Sequence, residues 1–392
     1  MIHIKDKQDC CGCSACVQRC PKQCITMQSD DEGFLYPTVD TAQCIDCGLC
    51  EKVCPLITAL QPREPQKVYA SYNRDEETRL KSSSGGIFTL LAQKTIDNGG
   101  VVFGVRFDER WMPIFDYTLT SEGIAAFRGS KYVQATVGNA YRQAESFLKE
   151  GREVLFSGTP CQIAGLHNYL RKEYSNLLTV DIICHGVPSP KVWSMYIDEL
   201  CAKESKRSKQ KATIQSVSFR DKSYGWKNFH ISIGFSTGHI YKKLFYRDYY
   251  MRTFVSDTAL RPSCYNCKIK RGSSHSDITI ADFWGIETIE PSFDDNKGCG
   301  AIFINSDKGN SSYPYEHCIS SEKSLQQVVS NNTNYEVSNK AHPKRDKFFA
   351  TLQQTNNVTK SVRKVLIPSP ARRILARIKR KALSLMKKIN KA

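Results

Sequence analysis

Two stretches near the N-terminus, CCGCSACVQRCP at residues 10–21 and CIDCGLCEKVCP at residues 44–55, decide how this chain begins to fold. Both follow the spacing C-x2-C-x2-C-x3-C-P, so a pattern of four cysteines and a proline occurs twice. The repeated cysteines are Cys10, Cys13, Cys16 and Cys20, followed by Cys44, Cys47, Cys50 and Cys54. Such a repeat predicts a two-fold module whose side chains share one chemistry.

This spacing is typical of cubane 4Fe-4S sites, in which the fourth cysteine of each run ligates the other cluster. Three thiolates two residues apart let a tight loop wrap one cubane, and the proline then turns the chain away. We expect the first cluster to use Cys10, Cys13, Cys16 and Cys54, and the second to use Cys44, Cys47, Cys50 and Cys20. The alternatives are structural zinc, which groups two cysteine pairs around one ion, and a disulfide framework of the secreted type. The repeat favours two 4Fe-4S clusters in a ferredoxin-type domain at residues 1–60.

The length of 392 residues predicts two or three domains, so a ferredoxin-type module is only part of the protein. The first ten residues, MIHIKDKQDC, lack the apolar run of a signal peptide. No stretch approaches the roughly 18 consecutive apolar residues of a membrane span. The seventeen cysteines then fit a reducing compartment, and we expect a cytoplasmic protein.

The basic charge is concentrated at the C-terminus. Of the net charge of +17, eleven units come from residues 361–392, which hold no acidic residue, so the preceding 360 residues carry +6. Residues 371–392 predict a basic amphipathic helix with the apolar stripe Ile374, Ile378, Ala382, Leu385 and Ile389. Such a helix can lie on an anionic membrane surface, pack on its own protein or contact nucleic acid. It has no aromatic side chains for stacking on bases, so we expect no nucleic-acid partner and a peripheral position on the inner membrane face.

After a polar linker at residues 61–67, alternating strands and helices predict an α/β fold with a mixed, partly parallel sheet, α+β overall. The predicted strands are VYASYN, VVFGVRF, VLFSGT and LLTVDIICHG, then the antiparallel VSFRD, FHISIGFS and HIYKKLFY, then DITIADFWG and CGAIFINS. We expect one domain at residues 68–310, with parts at 68–148 and 149–310. Residues 311–370 are a variable polar region of little chemical information.

Six short strings in this domain occur in a specific order. They are SSSGG at 82–86, RGSKYVQ at 128–134, SGTPCQIAGL at 157–166, DIICHGVPSP at 181–190, CYNCK at 264–268 and SDITIADFWG at 276–285. At these residues the chain resembles the family of beta subunits of the coenzyme F420 hydrogenases and dehydrogenases, over residues 68–305. The resemblance implies FAD beside the iron-sulfur clusters and electron transfer to a hydride-accepting partner.

Two relatives suggest what such a protein acts on. A plant relative, the 7-hydroxymethyl chlorophyll reductase, looks similar and reduces a small molecule with ferredoxin electrons. Related bacterial proteins look associated with surface polysaccharide synthesis, so the resemblance also implies a sugar or lipid-linked sugar as substrate.

The flavin site is expected at SSSGG, where polar and small residues precede an apolar helical run. Ser82, Ser83 and Ser84 are expected to cap the helix, and Gly85 and Gly86 to let a pyrophosphate approach its exposed N–H groups. The alternative is a plain serine cap on a surface helix. Lys131 is expected to place positive charge near the flavin ring or phosphates, and as a catalytic candidate it competes with a simple surface lysine.

Four further cysteines suggest another cluster. Cys161 and Cys184 follow predicted strands, and Cys264 and Cys267 form a C-x2-C pair. We expect a third 4Fe-4S cluster there, against the alternatives of a zinc site or unliganded cysteines. His185 is the candidate proton donor, unless it only fixes its loop by a hydrogen bond. The cysteines without an expected ligand role are Cys11, Cys24, Cys201, Cys299 and Cys318, and we expect Asp282 and Trp284 to be structural or to pack beside the flavin.

These motifs lead to two hypotheses. The first is an iron-sulfur flavoprotein oxidoreductase that acts on a small molecule or a hydride carrier and exchanges electrons with a redox partner protein such as ferredoxin. The second is an electron-transfer subunit that docks on a partner enzyme and has no substrate of its own. An enclosed pocket favours the enzyme, and a large exposed apolar patch favours the electron-transfer role.

Overall fold

The computed structural model describes residues 1–368. Residues 369–392, which include the predicted basic helix at 371–392, lie outside the described residues. Within the described part, no helix combines the length and the apolar character that a membrane crossing requires.

The N-terminal module is built on two similar halves. Its elements are α1 (Ala15–Arg19), β1 (Ile25–Ser29), β2 (Leu35–Val39) and α2 (Leu49–Lys52). Both short helices follow a left-handed residue inside a cysteine run, Ser14 with φ 61° and Gly48 with φ 70°. Strands β1 and β2 pair antiparallel.

Eleven strands follow the module in the described residues. They are β3 (Lys67–Asn73), β4 (Val101–Phe107), β5 (Pro113–Thr118), β6 (Val154–Ser157), β7 (Leu177–Ile182), β8 (Ile214–Asp221), β9 (His230–Phe235), β10 (Ile240–Leu244), β11 (Ile278–Asp282), β12 (Gly300–Ile304) and β13 (Cys318–Lys323). Strands β8 to β10 form a separate antiparallel sheet, as expected. The other eight form the central sheet, in the order β13-β3-β12-β11-β7-β6-β4-β5.

The middle of the central sheet is parallel and its flanks are antiparallel. Strands β4, β6, β7 and β11 pair in parallel, whereas β5, β12, β3 and β13 are joined antiparallel. The mixed α/β sheet expected from the sequence is therefore confirmed. The sequences of parallel strands are continuous apolar runs because helices cover both faces of the sheet. Val101, Val102 and Phe103 of β4 are accordingly fully buried.

Helices surround both sheets. They are α3 (Glu76–Lys81), α4 (Ile87–Asp97), α5 (Ile124–Phe127), α6 (Ala140–Lys149), α7 (Pro160–Leu170), α8 (Pro190–Ser208), α9 (Tyr249–Val255), α10 (Ile286–Ile289), α11 (Asp307–Ser312), α12 (Leu325–Val329), α13 (Arg345–Thr355) and α14 (Val358–Val365). One large core joins α8, α9, α13 and α14 to the smaller sheet, through side chains such as Trp193, Ile231, Tyr250, Phe348 and Val362. The module packs on α6 and α7, where Cys13 and Ala15 meet Tyr141 and Leu166.

Residues beyond 310, expected to be a variable polar region, take part in this architecture. Strand β13 pairs with β3 along six residues, and Phe348 and Val362 are fully buried. The polar composition hid these elements because each presents only a narrow apolar face to the core.

The carboxyl ends of the parallel strands meet at one edge of the central sheet. Cys161 lies in the first turn of α7 after β6, and Cys184 follows β7 by two residues. Strand β3 has the same direction as β11, so the SSSGG segment that follows α3 comes to the same edge. This edge is where open α/β sheets bind ligands.

Candidate functional site

The first predicted ligand set is close together in space although its members are far apart in sequence. Burial, and then the neighbouring Cys10 and Cys54 thiols, raise the pKa of Cys16 to about 12. A hydrogen bond with Cys11 lowers the pKa of Cys13, but burial and the Cys16 and Cys54 thiols raise it, and the net shift is upward. The structure thus places Cys54, from the second run, beside the three leading cysteines of the first run.

The second predicted ligand set lines a small cavity of about 20 Å³. Cys20, Cys44, Cys47 and Cys50 all face it. Cys24 also faces this cavity and has its sulfur 3.4 Å from that of Cys20, although sequence reasoning gave it no role.

The four cysteines of the third predicted set also share one neighbourhood. Burial, and then the Cys161 thiol, raise the pKa of Cys184 to about 12, and the charge of Lys270 opposes the rise. Burial and then the Cys184 thiol raise the pKa of Cys264, and the Cys161 and Cys267 thiols raise it further.

The third set lies next to the first. Cys161 and Cys267 both pack against the buried cluster that holds Cys54. Cys11 lies between the two sets and exchanges hydrogen bonds with Cys13 and Cys161. In residues 1–368, no three Cys, His, Asp or Glu side chains are grouped around a single metal-ion position.

A cleft of about 630 Å³ opens at the carboxyl edge of the central sheet. The predicted site residues that line it are Ser82, Ser83, Ser84, Gly85, Gly86, Lys131, Cys184 and His185. Apolar side chains from α4 and from strands β7, β11 and β12 form much of its wall, among them Ile87, Ile182, Ile280 and Ile302. Its size is typical of small-molecule and cofactor sites.

The serines of SSSGG do not cap α4, contrary to expectation. Ser82 donates to the carbonyl of Thr78 at 2.7 Å, and Ser84 donates to the carbonyl of Cys299 at 2.7 Å. The Ser83 hydroxyl accepts from the backbone N–H of Ser130 at 2.7 Å. The N-cap residue is Gly86, with φ 84°, and no side chain caps the helix.

The N–H groups of the first turn of α4 consequently have no capping partner and stand at the cleft, which Ile87, Phe88 and Thr89 line. Arg128 lies at the same end of the helix, where its Nε donates to the Thr89 hydroxyl at 3.2 Å. Sequence reasoning missed Arg128, although it opens the RGSKYVQ string. Open N–H groups, a helix dipole and a guanidinium together favour an anion.

Lys131 reaches the cleft as an enclosed ammonium group. Its Nζ donates to the carbonyls of Phe127, Arg128 and Gly129 at 3.2 to 3.3 Å, and none of its contacts is a carboxylate. Burial lowers the pKa of Lys131 to about 7. The positive charge expected here is therefore present on only part of the molecules at neutral pH.

Another cation on the cleft wall, Arg220, was not predicted. Its guanidinium grips Asp282 through both terminal nitrogens, at 2.9 and 3.2 Å, and also donates to the Tyr132 hydroxyl at 3.1 Å. Asp282 further accepts from the indole of Trp226, which stacks on Trp284 at 4.8 Å. The structural role expected for Asp282 and Trp284 agrees with this network, and both residues also face the cleft.

His185 stands on the side of the cleft nearest to Cys184. Its Nε2 lies 2.8 Å from Oδ1 of Asp257, without the alignment of a hydrogen bond. Its ring meets the edge of Phe254 at 4.7 Å. The imidazole therefore has a carboxylate neighbour and access to the cleft, which a proton donor requires.

Family models match most of the chain in three consecutive parts. The 4Fe-4S dicluster domain matches residues 9–56. The N-terminal part of the coenzyme F420 hydrogenase/dehydrogenase beta subunit matches residues 68–141, and its C-terminal part matches residues 151–316. The chain belongs to the family of coenzyme F420 hydrogenase/dehydrogenase beta subunits. Within this family it carries its own N-terminal 4Fe-4S dicluster domain.

Each of three curated relatives matches less than half of the chain. A subunit of the F420H2 dehydrogenase of Methanosarcina mazei is 25% identical over 162 residues, which cover 39% of this chain and 46% of that protein. The coenzyme F420-dependent sulfite reductase of Methanocaldococcus jannaschii is 27% identical over 169 residues, which cover 42% of this chain and 25% of that protein. A 7Fe ferredoxin of Hydrogenibacillus schlegelii is 38% identical over 65 residues, 16% of this chain and 77% of that protein. The chain spans less than half the length of the first two.

Among solved structures, the chain is similar to one chain of the F420-reducing [NiFe] hydrogenase complex of Methanosarcina barkeri. The TM-score is 0.46 with 16% identity, over 76% of this chain and 96% of that chain.

Proposed function

We propose that this protein is an iron-sulfur flavoprotein oxidoreductase, in which electrons pass between the dicluster domain, a third 4Fe-4S cluster and FAD in the cleft. One observation carries the proposal: the third cysteine set touches both ends of this path. Cys161 and Cys267 pack against the buried cluster that holds Cys54 of the first set, and Cys184 lines the cleft. The relatives named for coenzyme F420 support a small substrate or hydride carrier as the reaction partner.

The cleft fits a dinucleotide flavin through its own residues. The open N–H groups of α4 and the Arg128 guanidinium suit a pyrophosphate. The apolar side chains from β7, β11 and β12 suit the flat face of a ring system and exclude water from it. When bound, FAD supplies the exchange between one-electron and two-electron chemistry.

Two side chains of the cleft can hold or move a proton. Lys131 has a pKa of about 7 because of its burial, so its Nζ can both carry and release a proton near neutral pH. His185 presents Nε2 beside Asp257, whose carboxylate can orient the ring. We propose these two as the catalytic candidates, with Lys131 also favouring bound anionic groups.

The cleft also favours an enzyme over the alternative of a docking subunit without a substrate. Besides the apolar wall, polar side chains of residues 331–334 line it, together with the rings of Trp284 and Phe245. Such a mixture suits a hydroxylated molecule that stacks one face on an aromatic ring. We therefore propose a sugar or lipid-linked sugar, in surface polysaccharide synthesis, as the substrate class.

The basic segment at 371–392 completes the proposal. Its apolar stripe and its lysines and arginines support a peripheral position on an anionic membrane surface, where a lipid-linked substrate would be presented. The remaining chain is cytoplasmic in this proposal, and ferredoxin is the class of redox partner.

Anaerobic purification, with counts of iron and acid-released flavin, tests the cofactor set. We expect about twelve iron atoms and one FAD per chain, since three cubanes hold about four irons each. The double variant Cys264→Ser/Cys267→Ser should lose about four irons, and Cys201→Ser, a half-buried cysteine away from the three sets, should lose none. About eight irons in both the wild type and the double variant, with no flavin, would refute the third cluster and the flavin. The protein would then be only a ferredoxin-type domain fused to a second domain.

A further inference from the structure

A buried arginine stands at the junction between the module and the flavin domain. Arg261 has no exposed surface, and it immediately precedes the 3-10 turn Pro262–Asn266 that carries Cys264. Its backbone carbonyl accepts from the N–H of Cys264 at 2.9 Å, and its Nε donates to the carbonyl of Cys10 at 2.7 Å. The residue therefore connects the first and the third cysteine sets directly.

All three guanidinium nitrogens of Arg261 have neutral partners. Besides Cys10, they contact the side-chain oxygen of Gln134 at 3.0 Å and the carbonyl of Leu35 at 2.9 Å. The guanidinium also lies over the ring of Tyr36, 4.3 Å from its centroid. No carboxylate in residues 1–368 forms an ion pair with it.

A buried cation without a counter-charge is costly, by several kcal/mol, so an anion is expected nearby. The neighbouring Arg345, which is only partly buried, shows the usual arrangement, because both of its terminal nitrogens donate to the carboxylate of Glu32. The two carboxylates near the Tyr36 ring, Asp30 and Glu32, are paired with Lys7 and Arg345. The unpaired anionic chemistry that the described residues offer to Arg261 is that of the thiolates. Hydrogen bonding to Cys11 and burial raise the pKa of the Cys161 thiol, and the charge of Arg261 opposes that rise.

The ligand loop is shaped to admit this guanidinium. Gly12, with φ +73°, lies between Cys11 and Cys13, and a Cβ there would stand 2.9 Å from Nη1 of Arg261 and 2.6 Å from Nε2 of Gln134. Gln134 in turn donates to the carbonyl of Cys11 at 3.2 Å. Two other cations near candidate ligands, Lys268 and Lys270, are not buried, so solvent screens their charge.

We infer that Arg261 is the buried counter-charge of the first 4Fe-4S cluster, and that it raises the reduction potential of that cluster while holding the Cys10–Cys13 loop against the flavin domain. This inference rests on the proposed cluster path. Reduction adds negative charge to a cluster, so a fixed cation at short range favours the reduced state. With this charge nearby, the first cluster accepts an electron more readily than the same cluster would without it.

Redox titration monitored by electron paramagnetic resonance, on the anaerobically purified full chain, tests the inference. Cys10→Ser identifies the signal of the first cluster. In Arg261→Gln that cluster should have a lower potential, with a reduced-to-oxidised ratio about tenfold smaller at the wild-type midpoint. The second cluster should keep its potential, and Arg261→Lys should stay close to the wild type because it retains the charge.

Two further variants guard against a purely structural effect. Gln134→Glu places a carboxylate beside Nη1 and leaves Arg261 in position. It should therefore lower the potential of the first cluster, as Arg261→Gln does. If Arg261→Gln does not fold, Gln134→Glu tests the inference by itself. Arg345→Gln, which removes a partly buried arginine that is paired with Glu32, should leave that potential unchanged. An unchanged first-cluster potential in Gln134→Glu, or in iron-replete Arg261→Gln, overturns the inference. A wild type without iron would instead refute the proposed function.

Discussion

At the scale of single residues, charge around the cleft depends on which cations have partners. Arg220 is held by Asp282, and this carboxylate keeps the guanidinium charged in spite of its burial. Lys131 donates to three carbonyls and has no carboxylate partner among the described residues, and burial lowers its pKa to about 7. The sequence showed both as basic residues and gave no indication of this difference, because pairing and desolvation are tertiary properties.

We predict that Lys131 makes FAD binding dependent on pH. Anionic FAD favours the protonated ammonium, which is present below about pH 7 and is lost as the pH rises through that value. The Kd for FAD should therefore increase about tenfold between pH 6 and pH 9, as measured by flavin fluorescence on the apoprotein. Lys131→Met should bind FAD weakly at both pH values.

The control is Lys211→Met, which removes an exposed lysine and should keep the pH dependence of the wild type. A pH dependence that persists in Lys131→Met would contradict the prediction and assign the effect to another group.

At the scale of elements, the connection from β3 through α3 to α4 shows how a local pattern can be overridden. Serines before an apolar helical run predict a cap, and this pattern placed the helix start correctly at the SSSGG segment. The hydroxyls nevertheless bond to Thr78, Ser130 and Cys299. Ser82 bonds within its own helix end, four residues back, whereas the partners of Ser83 and Ser84 come from distant segments that no local pattern could reveal.

The two glycines of this segment are required for different physical reasons. Gly86 needs a positive φ, whereas a Cβ on Gly85 would lie 2.3 Å from the carbonyl oxygen of Ser71 in β3 and 2.8 Å from the nitrogen of Gly300 in β12. The approach expected of Gly85 toward a pyrophosphate is thus accompanied by a close approach to the sheet. This contact fixes α4 at the edge where the cleft opens.

We predict that Gly85→Ala destabilises the protein by about 2 to 3 kcal/mol, because two backbones cannot move aside for the methyl group. The matched control is Gly99→Ala, where φ is +73° and nothing lies within 4 Å of the added Cβ. The control should lose only about 1 kcal/mol, from backbone strain. Thermal unfolding followed by circular dichroism should show at least twice the decrease in Tm for Gly85→Ala. Equal decreases would mean that the sheet contact does not matter.

At the scale of the whole molecule, the fold arranges three cysteine sets and a cleft one after another. The module rests on α6 and α7, and α7 itself begins with Cys161 of the third set. Cys184 then belongs to the cleft wall. The order along this line is set by the packing of the module on the sheet domain and by the direction of its parallel strands.

We predict that the basic segment determines where the whole molecule resides. Deletion of residues 371–392 should abolish co-sedimentation with vesicles that contain anionic lipid, since each lysine or arginine near such a surface contributes about 1 kcal/mol. Replacing Ile378 and Leu385 with serine, which retains every charge, should weaken binding if the apolar stripe enters the interface. Neutral vesicles serve as the control. Equal pelleting with and without the segment would end the membrane proposal.

The sequence by itself determined the cluster chemistry, the family and most of the strands, because cysteine spacing and apolar periodicity are local properties of the chain. It also grouped the candidate ligands into three cysteine sets. The same spacing predicted that Cys54 and Cys20 each join the set of the other half. Only the tertiary structure decided that Cys161, Cys184, Cys264 and Cys267 meet beside the first set, and that Arg261 is buried near them without an ion pair to a carboxylate. These features depend on contacts between residues up to about 250 positions apart, such as the 251 that separate Arg261 from Cys10. Packing brings such residues together, and no local pattern encodes it.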